Sequence, residues 1–293
     1  MREVNGFTRR DPFGFKLVAI DIDDTLVGPD KQISDDNRRA VARLRSHGCR
    51  VVLASGREHS SMRLFHDALE LDEYLVSSQG ALVVHPRTGH ELWHRPVNDV
   101  LALHLVETGR ANGADVLLYT RDGIFAAPDS PWILGDRLPV DTSLHFQAGD
   151  LRALAATGPL KVLWYGAAPH VVRWSTESTS LYAATAEIVV TAPELLEFNA
   201  PDATKATAVE AVANHYGILQ REVLAFGDGL NDVALLRWAG CGVAVGHASD
   251  VVRASADIVV PEGDPSTSLA RGIGALLDDL VAARERAREI GLS

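Results

Sequence analysis

The segment that most constrains the fold is KLVAIDIDDTL, residues 16–26. An apolar run from Phe15 to Ile22 has the character of a strand buried on both faces, and it runs straight into Asp21 and Asp23 with Thr25 close behind. Carboxylates at the end of a buried strand are costly unless they carry out chemistry or bind a cation. Side chains two residues apart on a strand point the same way, so Asp21 and Asp23 can act on one group.

Alternating strand and helix signals surround that segment. Ser34 can cap a helix through Leu44 that ends at Gly48, and Arg50–Ala54 is a second short apolar run followed by Ser55-Gly56-Arg57 and a helical stretch to about Leu69. Strand-like pieces at Tyr74–Ser77 and Ala81–Val84 flank Gln79-Gly80. Such alternation implies right-handed crossovers and a mainly parallel sheet. From about Leu195 the pattern returns: a helix over Thr204–His215, a strand Val223–Phe226, a Gly227-Asp228-Gly229 turn and further strands near Gly242–Val245 and Ile258–Val260. A closing amphipathic helix carries Leu269, Ile273, Leu276, Leu277 and Leu280 on one face.

The middle differs. A hairpin signal at Asp115–Tyr119 and Gly123–Ala127 precedes a Pro-, Asp- and Gly-rich loop over Pro128–Asp141. A helix near Asp150–Ala156, a strand Lys161–Tyr165, a helix near His170–Ser180 and a strand Glu187–Thr191 follow. The expected architecture is an α/β fold: a doubly wound, mainly parallel core of residues 1–84 and 195–293, interrupted by a smaller α+β domain over 85–194.

In such a sheet, ligands bind beyond the carboxyl ends of the strands. Three strand ends carry functional groups: Asp21, Asp23, Asp24 and Thr25; Ser55-Gly56-Arg57; and Gly227-Asp228-Gly229-Leu230-Asn231-Asp232. Lys205 stands in the first turn of the helix entering the second half. Each motif alone also describes an ordinary turn or a solvated residue. Together, in this order, they suit phosphoryl transfer. Carboxylates from two strand ends offer hard oxygen ligands to Mg²⁺, and a hydroxyl and an ammonium can cradle phosphoryl oxygens. The second aspartate is placed to move a proton.

The four motifs resemble those of the haloacid dehalogenase-like superfamily, and an α/β insertion between the second and third is similar to its Cof-type branch of Mg²⁺-dependent phosphatases of small phosphorylated metabolites. The resemblance implies Asp21 as nucleophile forming an aspartyl-phosphate, and Asp23 as acid/base that also lends its backbone carbonyl to the metal. It implies Asp228 as a direct Mg²⁺ ligand, with Asn231 and Asp232 holding metal waters or the lysine. Thr25, Ser55, Gly56, Arg57, Lys205 and Asn231 would bind the phosphoryl group, with Ser55 and Lys205 counted among the catalytic residues. The insert would act as a cap that chooses the substrate. Asp24 occupies a position where glycine is frequent in the family, Gln79 one where Asn is common, and His247 another usually held by Asn. A sugar phosphomutase of similar architecture, or a module that holds a phosphoaspartate without turnover, shares much of this pattern.

A formal net charge of -11 from 28 Lys+Arg and 39 Asp+Glu opposes binding to nucleic acid. It does not oppose a small anionic ester, because local cations set the potential inside a site. The two cysteines, Cys49 and Cys241, fit no metal spacing and suit a reducing compartment. Neither a signal peptide nor an apolar stretch of ~20 residues is visible, so a cytoplasmic protein with no membrane partner is expected. Oligomeric state and the identity of the ester are not readable.

Overall fold

A computed structural model describes residues 14–135 and 144–277. The opening thirteen residues, the 136–141 part of the expected loop and Leu280 lie outside the described residues. The chain divides into two compact units, one of Met1–Leu53, Ala68–Glu73 and Val212–Ser293, the other of Ala54–Asp67 and Tyr74–Ala211.

In the first unit the strand Leu17–Ile20 pairs in parallel with Val223–Gly227 on one side and with Arg50–Ala54 on the other. Val223–Gly227 continues in parallel to Cys241–Ala244, and that strand to Ile258–Val259. Leu17, Val18, Ala19 and Ile20 have no exposed surface, which is why the segment reads as an unbroken apolar run. The strand is shorter than the apolar run because the chain turns from Ile22 onward. Ser34 caps the helix Asp35–Ser46 by accepting from the Asn37 N–H, and Gly48 follows with φ +83°, the left-handed geometry that ends helices. Asn37 is fully buried and ties three segments together. Its amide donates to the Leu26 carbonyl at 2.7 Å and the Ser266 carbonyl at 2.9 Å, and accepts from the Ala270 N–H at 2.9 Å. Residues 268–277 are helical, and Leu269, Ile273, Leu276 and Leu277 are buried as their spacing suggests.

The second unit holds a six-stranded sheet. Its spatial order is Glu187–Ala192, Leu195–Asn199, Lys161–Tyr165, Asp115–Thr120, Gly123–Ala126 and Phe146–Ala148. All neighbours are antiparallel except the last pair. The helices Asp99–Ala111, Leu151–Ala155 and Ala168–Tyr182 contribute to one core, with Trp164, Trp174 and Phe198 at its centre. A second cluster gathers Leu117, Tyr119 and Leu163 under Trp132 and Phe146. The unit also carries the antiparallel run Leu75–Ser77, Leu82–Val84 and Glu91–His94. The strands Glu91–His94, Phe146–Ala148 and Leu195–Asn199 and the helix Asp99–Ala111 are additions to the elements the sequence suggested. Among the described residues no helix is long and apolar enough to cross a membrane.

Candidate active site

Asp21 continues the line of its strand by one residue, its N–H donating to the Phe226 carbonyl at 3.1 Å. The chain then folds back tightly. The Leu26 N–H reaches the Asp21 and Ile22 carbonyls at 3.2 and 3.0 Å, and the Val27 N–H reaches Ile22 at 2.9 Å. Within this turn Asp24 has φ +58°, a left-handed geometry that costs a side chain and that glycine adopts freely. That explains why glycine suits the position.

Parallel pairing of the two strands sets Asp21 beside the acidic loop after Val223–Gly227. One carboxylate oxygen from each of Asp21, Asp228 and Asp232 lies within 4.8 Å of the others. Asp21 and Asp232 are buried. Asp232 Oδ2 accepts from the N–H groups of Asp228 and Gly229 at 3.1 and 3.0 Å, closing the loop on itself. Thr25 Oγ1, fully buried, donates to Asp228 Oδ1 at 2.9 Å and aims that carboxylate. Gly229 leaves room for Asn231, since a Cβ there would stand 2.3 Å from Asn231 Oδ1. Like charges this close repel one another unless a proton or a cation compensates. A set of carboxylate oxygens is the donor chemistry of a hard divalent cation, so the residues present fit one.

Asp23 is more open than Asp21. Its Oδ1 lies 3.0 Å from Lys31 Nζ, which is also 3.7 Å from Asp24 Oδ1. Lys31 has φ +57° and was not singled out in the sequence, because nothing in its immediate neighbours marks it.

Ser55, Gly56, Arg57 and Lys205 belong to the second unit. The Ser55 N–H donates to the Val76 carbonyl at 2.9 Å, and the Ser55 carbonyl accepts from the Gln79 N–H at 3.1 Å. The Arg57 N–H turns back to Ser55 Oγ at 3.2 Å, while the Arg57 carbonyl accepts from the Ser78 N–H at 2.9 Å. The Arg57 guanidinium lies over the Phe65 ring, 4.9 Å from its centroid. Both Ser78 and Gln79 have positive φ, +50° and +62°. Asparagine tolerates that geometry better than glutamine.

Lys205 opens the helix Lys205–His215 and is 1% exposed. Thr204 and Thr207 cap this start reciprocally, each hydroxyl accepting from the other's N–H at 3.2 Å. Gly80, at φ +98°, lets the chain close in, for a Cβ there would stand 2.2 Å from the Thr204 carbonyl oxygen. An ammonium buried at the positive end of a helix is unfavourable on two counts, desolvation and the helix dipole, and suits a place where negative charge arrives.

His59, which begins the helix His59–Ala68 after this loop, has its pKa pushed below the usual histidine value chiefly by burial. His247 is exposed. The sequence reading passed over Lys161 and Glu197, a buried pair 3.0 Å apart. The available signal was one charged residue in each of two largely apolar strand segments, KVLWY and LLEFN.

The family model for haloacid dehalogenase-like hydrolases matches residues 18–273. A 5-amino-6-(5-phospho-D-ribitylamino)uracil phosphatase of Bacillus subtilis is 27% identical over 259 residues, covering 86% of this chain and 92% of its own. An HMP-PP phosphatase of Shigella flexneri is 29% identical over 241 residues, covering 82% and 87%. Among solved structures, a haloacid dehalogenase-like hydrolase from Bacteroides thetaiotaomicron superposes with a TM-score of 0.78 at 24% identity, covering 89% of this chain and 99% of its own, which shows a shared fold.

Proposed function

We propose that this chain, which belongs to the haloacid dehalogenase-like hydrolases and is a phosphoric monoester hydrolase, frees phosphate from a small phosphorylated metabolite through an aspartyl-phosphate at Asp21, with Mg²⁺ as its cation. The observation that carries the reading is the convergence of Asp21, Asp228 and Asp232 at the ends of two neighbouring parallel strands. Asp21, the backbone carbonyl of Asp23 and Asp228 would hold the cation, which when bound offsets the repulsion between a carboxylate and a phosphate and the charge on the transferring group.

In the first step an Asp21 carboxylate oxygen bonds to phosphorus, the ester oxygen leaves, and Asp23 gives it a proton. In the second, Asp23 takes a proton from a water whose oxygen bonds to phosphorus. The acyl phosphate then breaks, giving orthophosphate and restoring the Asp21 carboxylate. Thr25, Ser55, Gly56, Arg57, Lys205 and Asn231 bind and orient the phosphoryl group, and Asp232 keeps the Asp228 loop in shape. In this reading residues 1–84 and 195–293 carry the chemistry, and the 85–194 insert chooses the ester.

The reading is tested with a panel of small phosphate esters that includes the compounds for which the relatives are named. Phosphate release is expected with Mg²⁺, is expected to stop with EDTA, and is expected to fall at least about 10³-fold in Asp21→Asn. Absence of turnover of every ester with Mg²⁺ present would count against it.

A further inference from the structure

Two neighbouring strands in the second unit place a charged side chain where apolar ones surround it. Lys161 is 1% exposed and Glu197 is 4% exposed. Lys161 Nζ lies 3.0 Å from Glu197 Oε1, 2.9 Å from the Gly56 carbonyl oxygen, and 4.0 Å from the centroid of the Tyr119 ring. Burial holds the Tyr119 phenol in its neutral form, its pKa pushed well above the usual value. Glu197 has further partners: Oε1 accepts from Thr191 Oγ1 at 3.1 Å, and Oε2 from Gln79 Nε2 at 2.9 Å.

A buried ion pair adds little net stability over an apolar pair of the same shape. Its retention therefore asks for another reason, and the contacts supply one. Lys161 grips a main-chain carbonyl inside Ser55-Gly56-Arg57. The 56–57 peptide is planar and trans, so its C=O and N–H point to opposite sides. With the Gly56 carbonyl held by Lys161, the Arg57 N–H must face away, and it donates to Ser55 Oγ at 3.2 Å. An Oγ that accepts from this N–H presents its own O–H as a donor. Through Gln79 the same Glu197 carboxylate reaches the other side of Ser55, because the Gln79 N–H holds the Ser55 carbonyl at 3.1 Å. There is little slack between these links: a Cβ on Gly56 would stand 2.4 Å from Gln79 Nε2.

We infer that Lys161 and Glu197, with Gln79, are positioning residues for Ser55: the buried pair sets the 56–57 peptide and through it the direction of the Ser55 hydroxyl. The inference rests on Ser55 as a phosphoryl-binding group. It adds three residues outside the four motifs to the apparatus that prepares it.

A double-mutant cycle separates positioning from general structural support. Lys161→Met alone leaves the Glu197 charge buried without its partner, so the informative variant is Lys161→Met with Glu197→Leu, which removes both charges. In the full chain with Mg²⁺ and the best ester, Ser55→Ala and the apolar pair are each expected to lower kcat about 10²-fold. Combined, they are expected to lower it less than about two-fold further than Ser55→Ala alone. Losses that multiply, or an apolar pair with undiminished kcat, overturn the inference. Amide hydrogen exchange at Arg57 gives a reading that needs no substrate. It is expected to speed up by at least about ten-fold in the apolar pair, since the N–H loses the peptide orientation that holds it, with exchange in Val223–Gly227 unchanged. Unchanged Arg57 exchange overturns the inference. Should the wild type turn over no ester, the phosphatase reading fails, and Arg57 exchange still decides this one.

Discussion

Gly227 sits where the chain leaves its strand for the acidic loop, and a Cβ there would stand 2.5 Å from both Cβ and Cγ of Asp232. In Gly227→Ala the Asp232 carboxylate has to move, giving up the two N–H groups that fix the loop beneath Asp228. Mg²⁺ affinity, followed as the metal dependence of phosphate release, is expected to weaken about 10- to 100-fold, the usual effect of disturbing what orients a ligand. The same scale holds the two thiols. Cys49 and Cys241 are buried, and the Cys241 thiol is pushed up to about 12 by burial and by Asp257 nearby. Neither is expected to react with a disulfide reagent in the native protein, and both are expected to react once it unfolds; labelling the folded chain at either would contradict this. That Asp21, Thr25 and Asp228 lie together could be anticipated in the sequence, because each stands at a fixed short spacing from the end of an apolar strand run. Lys161 and Glu197 could not, since their partnership depends on strand register across 36 residues and on a carbonyl 105 residues away from the lysine.

At the scale of elements, boundaries followed the caps. Ser34 starts its helix where an N-cap serine should, and Ser34→Ala is expected to lower stability by about 1 kcal/mol in denaturant unfolding. The helix of Lys205 depends on Gly80, whose φ of +98° and closeness to the Thr204 carbonyl leave no room for a side chain. Gly80→Ala is expected to destabilise by more than about 1 kcal/mol and to lower kcat, because the start of that helix must shift with Lys205. Strands Arg50–Ala54 and Lys161–Tyr165 stand where their apolar runs suggested. Leu195–Asn199 escaped notice because Glu197 and Asn199, both buried, interrupt its apolar pattern. Glu91–His94 escaped because it is only half-buried and carries no alternation.

At the scale of the whole molecule, two histidines contribute to the response to mild acid. Burial is the first cause lowering the pKa of both His59 and His94 from 6.5. A base whose folded pKa is depressed takes up its proton more readily in the unfolded chain. Stability from these groups is therefore complete above about pH 6.5 and is lost as pH falls through that value toward the folded pKa. The thermal midpoint is expected to be flat from neutral pH down to that point and to decline below it. The decline is expected to be shallower in His59→Gln; an unchanged slope in the variant would remove His59 from the account. The α/β class and the different texture of the middle segment were legible in the sequence, because periodicity and turn residues record them directly. The six-stranded order of that middle segment was not legible, since it depends on pairing between strands far apart in sequence.

The central claim is that Asp21 carries the phosphoryl group. Borohydride reduces an acyl phosphate on aspartate to homoserine, so quenching the enzyme with it during turnover and mapping peptides by mass spectrometry tests the claim most directly. Homoserine at position 21 alone, and only with ester and Mg²⁺ present, is the expected result. Undiminished phosphate release with position 21 unmodified, or with the modification at another aspartate, would contradict it.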